Sequence, residues 1–268
     1  HLDFDAVELA WGEPLTLGVV RKKIATGRPP AWLWCAHCET STGTLNDLGG
    51  LKDLCAEHAV KLCLDCISSI GTMPVDLRGV YFASGASGKG LRSYPGVSMV
   101  FHNHDVPAAG DRIPRYLDLG YYAQQEGIPF TFSSNLLHAL HAAVKRVDWK
   151  RRFADTAAIS EWLRSRLIEI GFALIGHGAK TSPAVVTLAL PPEMESAEIG
   201  RLMQEAGYLL SYNSEYLRRR NWIQICLMGE GTLEKVVPLV NALNRVCFRH
   251  RTATTNAGME TQTSVAPG

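Results

Sequence analysis

Lys89 stands in a turn of small residues, Ser84-Gly85-Ala86-Ser87-Gly88-Lys89-Gly90-Leu91. A lysine amine is a nucleophile toward carbonyl carbon, and small neighbours leave room for a bulky group to approach it. Upstream, Asp65 closes the apolar run Val60-Lys61-Leu62-Cys63-Leu64 and opens Asp65-Cys66-Ile67-Ser68-Ser69-Ile70-Gly71. A carboxylate at the end of a buried strand calls for a cationic partner, because an unpaired buried charge is costly. Earlier still, His37-Cys38-Glu39-Thr40-Ser41-Thr42-Gly43 is a hydroxyl-rich turn. An amine to meet an aldehyde, an acid to pair with a ring cation and hydroxyls to hold oxygen atoms together suit pyridoxal phosphate. Thr40, Ser41, Thr42 and Ser87 are the hydroxyl candidates.

These residues need elements to position them. Ala31-Trp32-Leu33-Trp34-Cys35-Ala36 is a short apolar run bounded by Pro29-Pro30 and a polar turn, and it reads as a buried strand. Runs at 60–64, 79–83 and 97–101 read the same way. Leu48, Leu51, Leu54 and Cys55 fall at helical spacing between the first two runs. Strands alternating with helix-length segments predict an α/β fold with a mostly parallel sheet. In such sheets functional groups collect past the carboxyl ends of strands, where His37, Asp65 and Ser84 fall. Further on, 135–147 and 153–170 read as helices, the second ending at Gly171. Strand 184–190, helix 195–206, strands 208–212 and 222–227, and helix 232–248 follow, a pattern for a smaller α+β domain. The expected division is a partial large domain over 1–149, a small domain over 150–250, and a disordered tail over 251–268 that lacks periodicity.

Composition removes several classes of function. The chain has 268 residues, is 46% hydrophobic and 20% charged, and carries a formal net charge of +1. Bulk charge thus gives no reason to expect a nucleic acid or an acidic membrane surface as partner. No apolar run approaches the roughly 18 residues of a membrane span. Seven cysteines, an odd number lying mostly in apolar runs, point to reduced thiols and a cytoplasmic setting.

Two other constellations compete. Cys35-x-x-Cys38 and Cys63-x-x-Cys66 imitate a four-thiolate zinc site. Each pair begins inside a strand-like run, where side chains three apart face opposite ways, and neither contains the glycine of a tight zinc turn. No metal is expected. Gly88-Lys89 imitates a phosphate loop, but that motif needs Gly where Ala83 stands and Ser or Thr where Gly90 stands. Each residue also has a plain alternative: a solvated loop lysine for Lys89, a helix cap for Asp65, a hydrogen-bonded structural histidine for His37.

Taken together, the His37–Gly43, Asp65–Gly71 and Ser84–Lys89 segments resemble the class V aminotransferases of the fold-type I pyridoxal phosphate enzymes. The likeness is nearest to the branch of 2-aminoethylphosphonate–pyruvate and alanine (or serine)–glyoxylate aminotransferases. Pro129-Phe130-Thr131-Phe132-Ser133-Ser134 and Cys226-Leu227-Met228-Gly229-Glu230 extend it. The resemblance implies that Lys89 forms the Schiff base and shuttles a proton, that Asp65 binds the pyridine nitrogen, and that Thr40 contacts the ring's phenolic oxygen or polar atoms near it. It implies cofactor contacts from Ser87 and His37, and from Thr131 reaching the phosphate of a partner in a homodimer. It implies amino transfer from a small amine or amino acid to a 2-oxo acid such as pyruvate or glyoxylate. Gln224 falls where the family carries a substrate-gripping arginine, so it is expected to bind substrate. The family's N-terminal third has no counterpart here, which reads as an N-terminal truncation. The alternatives are a catalytically impaired or non-catalytic paralogue of this fold, or a lyase built on it.

Overall fold

The computed structural model describes residues 4–26, 29–176 and 180–262. These fall into two compact units. One comprises 15–37 and 47–148; the other comprises the chain up to residue 14, 38–46, and everything from 149 on.

The first unit is built on a four-stranded sheet. Strands β1 (Trp32–Ala36), β4 (Lys61–Asp65) and β5 (Phe82–Ala86) run parallel in the order β1-β4-β5, and β6 (Ser98–Phe101) closes the edge antiparallel to β5. Leu62, Cys63 and Leu64 of β4 are all buried, as a central parallel strand covered on both faces requires. Helix α2 (Leu48–Glu57) starts at Asp47, whose carboxylate accepts from Gly50 N at 3.0 Å. Its buried stripe is Leu51, Leu54 and Cys55, at the spacing of one helix face. With Val20 and Ile24 of α1 (Leu17–Ala25), this stripe packs into one core with β4. Truncating Leu51 to alanine there costs about 2–5 kcal/mol. Helices α3 (Leu119–Gln124) and α4 (Ser134–Lys145) complete the unit.

The second unit has a three-stranded antiparallel sheet: β7 (Ala173–Leu174), β8 (Val185–Ala189) and β9 (Trp222–Cys226). Helices α5 (Trp149–Glu169), α6 (Ser196–Glu205) and α8 (Leu233–Gln262) bury Leu163, Leu167, Ile199, Met203 and Leu243 in a core with Leu188 and Ile223. A short helix, α7 (Glu215–Arg220), precedes β9. The two-residue strands β2 (Cys38–Glu39) and β3 (Thr44–Leu45) form a hairpin that belongs to this unit. Ser182 N donates to Gly43 O at 2.6 Å, and Thr44 bridges Thr181. Gly43 sits at φ +81°, and a Cβ there would lie 2.5 Å from Val185 O, so only glycine allows this approach. From the N-terminal segment, the Trp11 ring stacks on Tyr216 at 5.7 Å.

Four sequence expectations are corrected. The division at residue 150 misses that the segment up to 14 and the 38–46 hairpin fold with the C-terminal part, because their contacts are non-local. The third strand lies at 82–86, shifted three residues from 79–83. Stretch 208–212 contributes only a bridge between Ser211 and Gln224. The tail from 251 is helical through Gln262, since each added residue of a helix gains a hydrogen bond; 263–268 lie outside the described residues.

Candidate active site

In the first unit, parallel register aligns three strand ends. Ala36 of β1 pairs with Asp65 of β4, and Asp65 pairs with Ser84 of β5. The ladder continues past the strands: His37 N donates to Asp65 O at 2.9 Å, and Cys66 N to Ser84 O at 3.1 Å. His37, Asp65 and Ser84 are thus neighbours by backbone geometry, as expected of a parallel sheet's carboxyl edge.

Asp65 is exposed rather than buried, which corrects the expectation. It is the last residue of β4, where the sheet gives way to a turn. Its Oδ1 accepts from Ile67 N at 2.8 Å, closing an Asx turn, and from Ser84 Oγ at 3.3 Å. Both bonds fall on one oxygen of this exposed carboxylate.

The turn after Asp65 is tightly wound. Ser69 N and Ile70 N both donate to Cys66 O, at 3.1 and 2.9 Å. Thr72, fully buried, sends its hydroxyl to Ser69 O at 2.8 Å. Buried His37 places Nδ1 2.9 Å from Ser69 Oγ, and burial lowers its pKa, favouring the neutral ring. His37 therefore supports the serine turn from behind.

Lys89 is half-buried, and its Nζ donates to Ser68 Oγ at 2.7 Å. The pattern of residue types did not single out Ser68, and the only signal was its place in a serine pair three positions after Asp65. Ser87 is fully buried, and its hydroxyl is committed: it donates to Tyr94 O at 2.7 Å and accepts from Val97 N at 3.1 Å. The cofactor contact expected of Ser87 meets a hydroxyl that already ties the lysine loop together. Thr131 stands exposed on the stretch leading into α4.

Thr40 and Gln224 belong to the second unit, and there they meet. Gln224 is 2% exposed, and its Nε2 lies 2.9 Å from each of Thr40 O, Ser41 O and Thr187 Oγ1. Its Oε1 accepts from Tyr216 O–H at 3.3 Å. An amide nitrogen donates only, so three surrounding oxygens and one hydroxyl fix which way this amide points. Gln224 is a staple between β9 and the hairpin. The expectation that it grips substrate meets an amide whose donors are already engaged.

The paired cysteine motifs are split between the units, with Cys38 in the second and Cys35, Cys63 and Cys66 in the first. Burial pushes the Cys35 thiol up to about 12 and Cys66 up to about 11, so both stay protonated at neutral pH. None of the seven cysteines is in a disulfide, and the described residues hold no group of three His, Cys, Asp or Glu side chains able to bind a metal. Among the described residues no helix is long and apolar enough to cross a membrane.

In sequence the chain is similar to the 2-aminoethylphosphonate–pyruvate transaminase of Pseudomonas fluorescens (strain Pf0-1), 28% identical over 221 residues. That match covers 77% of this chain and 60% of the relative, so the chain spans less than two thirds of the relative's length. In structure it is similar to the alanine–glyoxylate aminotransferase of Nostoc sp., with TM-score 0.78, 28% identity, and coverage of 90% of this chain and 68% of the other. The ureidoglycine–glyoxylate aminotransferase of Bacillus subtilis shares the fold, with TM-score 0.82 at 23% identity over 91% and 67% of the two chains. No protein-family model matches.

Proposed function

We propose that this chain, a relative of the class V aminotransferases with the fold-type I architecture, serves pyridoxal phosphate-dependent amino transfer. The donor is a small amine or amino acid and the acceptor a 2-oxo acid such as pyruvate or glyoxylate. The observation that carries this reading is the Lys89 amine held at 2.7 Å by Ser68, in a turn three residues beyond Asp65 at the carboxyl end of β4.

The donor set fits the cofactor. Lys89 offers a primary amine for an aldehyde, and Asp65 offers an exposed carboxylate for a pyridinium N–H. When bound, the cofactor supplies an electron sink for charge developing at the donor's α-carbon. Lys89 Nζ holds the group and, once displaced, takes up and returns a proton at its own nitrogen. Asp65 keeps the ring nitrogen charged. His37, neutral and hydrogen-bonded to Ser69, keeps the turn between these two residues in shape.

Relatives named for pyruvate and glyoxylate motivate the choice of acceptors. A homodimer, in which exposed Thr131 meets a second copy, and a cytoplasmic setting belong to the same reading. The direct test mixes the chain with pyridoxal phosphate, reduces with borohydride and maps the modified peptide. Modification at Lys89 supports the proposal; modification elsewhere only, or none, overturns it. Transfer from 2-aminoethylphosphonate or alanine to pyruvate or glyoxylate then identifies the pair.

A further inference from the structure

The bond between Lys89 and Ser68 joins two turns that are each rigid for separate reasons. On one side, Ser68 is 3% exposed and its own carbonyl accepts from Thr72 Oγ1 at 3.3 Å. Its neighbour Ser69 is bound to His37. On the other side, Arg92 N donates to Lys89 O at 2.9 Å, and Ser93 N to Ser87 O at 3.1 Å. The turns touch backbone to backbone: a Cβ added to Gly71 would lie 2.5 Å from the carbonyl carbon of Gly90. A lysine has four side-chain torsions and loses substantial entropy when held in one place. Here the backbones that carry the two side chains are each held by hydrogen bonds, at Ser68 O and Lys89 O.

We propose that Ser68 is the positioning residue for Lys89. Its hydroxyl oxygen accepts one N–H of the amine and keeps Nζ in place both before it meets an aldehyde and after it is released by exchange. The covalent step balances simply. Nζ forms the new bond to carbon, and its two hydrogens leave with the aldehyde oxygen as one water. Ser68 neither gains nor loses a proton in it. The inference rests on Lys89 being the attachment residue, as proposed above.

The test compares the whole chain with its Ser68→Ala variant, using two probes. One is pyridoxal phosphate, with the rate of covalent capture at Lys89 followed by borohydride quench and peptide mass. The other is pyridoxamine phosphate, whose amine cannot condense with lysine, measured by equilibrium binding. Loss of one hydrogen bond to the amine predicts capture slowed about tenfold, with pyridoxamine phosphate affinity unchanged. Ser68→Thr, which keeps the hydroxyl, should restore most of the rate. Equal capture by wild type and Ser68→Ala overturns the inference alone. So does equal weakening of both probes, which is what a merely structural role produces. If Ser68→Ala does not fold, Ser68→Cys, with a weak acceptor of similar size, should show the same selective slowing, and an unchanged rate there overturns the inference. A wild-type chain that captures nothing at Lys89 overturns both this inference and the function proposed above.

Discussion

Gly71 and Gly90 pack backbone against backbone, and neither has room for a side chain. A Cβ on Gly90 would fall 2.3 Å from Ile70 O and 2.8 Å from the carbonyl carbon of Gly71. Gly71 also sits at φ +78°, a conformation that L side chains rarely adopt. This contact brings the serine turn after β4 to the lysine turn after β5. Gly71→Ala and Gly90→Ala should each destabilise the chain by about 2–3 kcal/mol, read as a lower urea midpoint. Midpoints matching wild type would show that the turns do not meet as described.

Gln224 should behave as a staple. Gln224→Leu removes the donor to Thr40 O, Ser41 O and Thr187 Oγ1, the last of them fully buried. The expected cost is about 2–4 kcal/mol. Gln224→Glu should be no better, since a carboxylate would face oxygens with nothing to donate. A neutral effect of Gln224→Leu on the urea midpoint would count against the staple and return Gln224 to consideration as a substrate ligand.

His37 predicts the direction of a pH effect. Burial lowers its pKa in the folded chain, below the ordinary value of about 6.5 that the unfolded chain keeps. On acidification the unfolded state therefore takes up a proton first. The stability that His37 contributes is present above about pH 6.5 and is lost as pH falls toward the lowered folded value. Urea midpoints from pH 8 to pH 5 should fall, and His37→Gln should flatten part of that slope. An equal slope in the variant would remove His37 as a cause.

The thiols should divide sharply by reactivity. Cys226 is exposed, while Cys38, Cys55, Cys63, Cys66 and Cys247 are buried and Cys35 is half-buried with its thiol pushed up to about 12. Only the thiolate attacks a disulfide reagent. At pH 8 the native chain should release about one equivalent quickly from such a reagent, with all seven cysteines reacting after denaturation. Fast reaction of Cys66 would show that the serine turn opens readily.

Much of this was legible in the sequence, for identifiable reasons. Short apolar runs and helical spacing located β4, α2 and the long helices, because burial imposes those periods, and located β1 too, although Trp32 and Trp34 there are exposed where a buried strand is expected. The same runs put Asp65 at a strand end and Lys89 in the next turn but one. What escaped depends on partners distant in sequence. Ser87 looks like a free hydroxyl until the loop returns Tyr94 and Val97 to it. Gln224 looks like a substitute for a charged ligand until a hairpin more than 180 positions earlier folds against it. Ser68 has no mark in the sequence beyond its neighbour Ser69, because its contact with Lys89 arises only where the turns meet at Gly71 and Gly90. The strands β2 and β3, two residues each, are too short for any periodicity to show.

The central claim is that Lys89 carries pyridoxal phosphate, and one measurement addresses it most directly. Wild type and Lys89→Ala are incubated with pyridoxal phosphate, reduced with borohydride and analysed by intact and peptide mass. The account predicts one added phosphopyridoxyl group on the peptide containing Lys89 in wild type, and none in Lys89→Ala. Equal labelling of the two chains, or labelling of wild type only at other lysines, would contradict it.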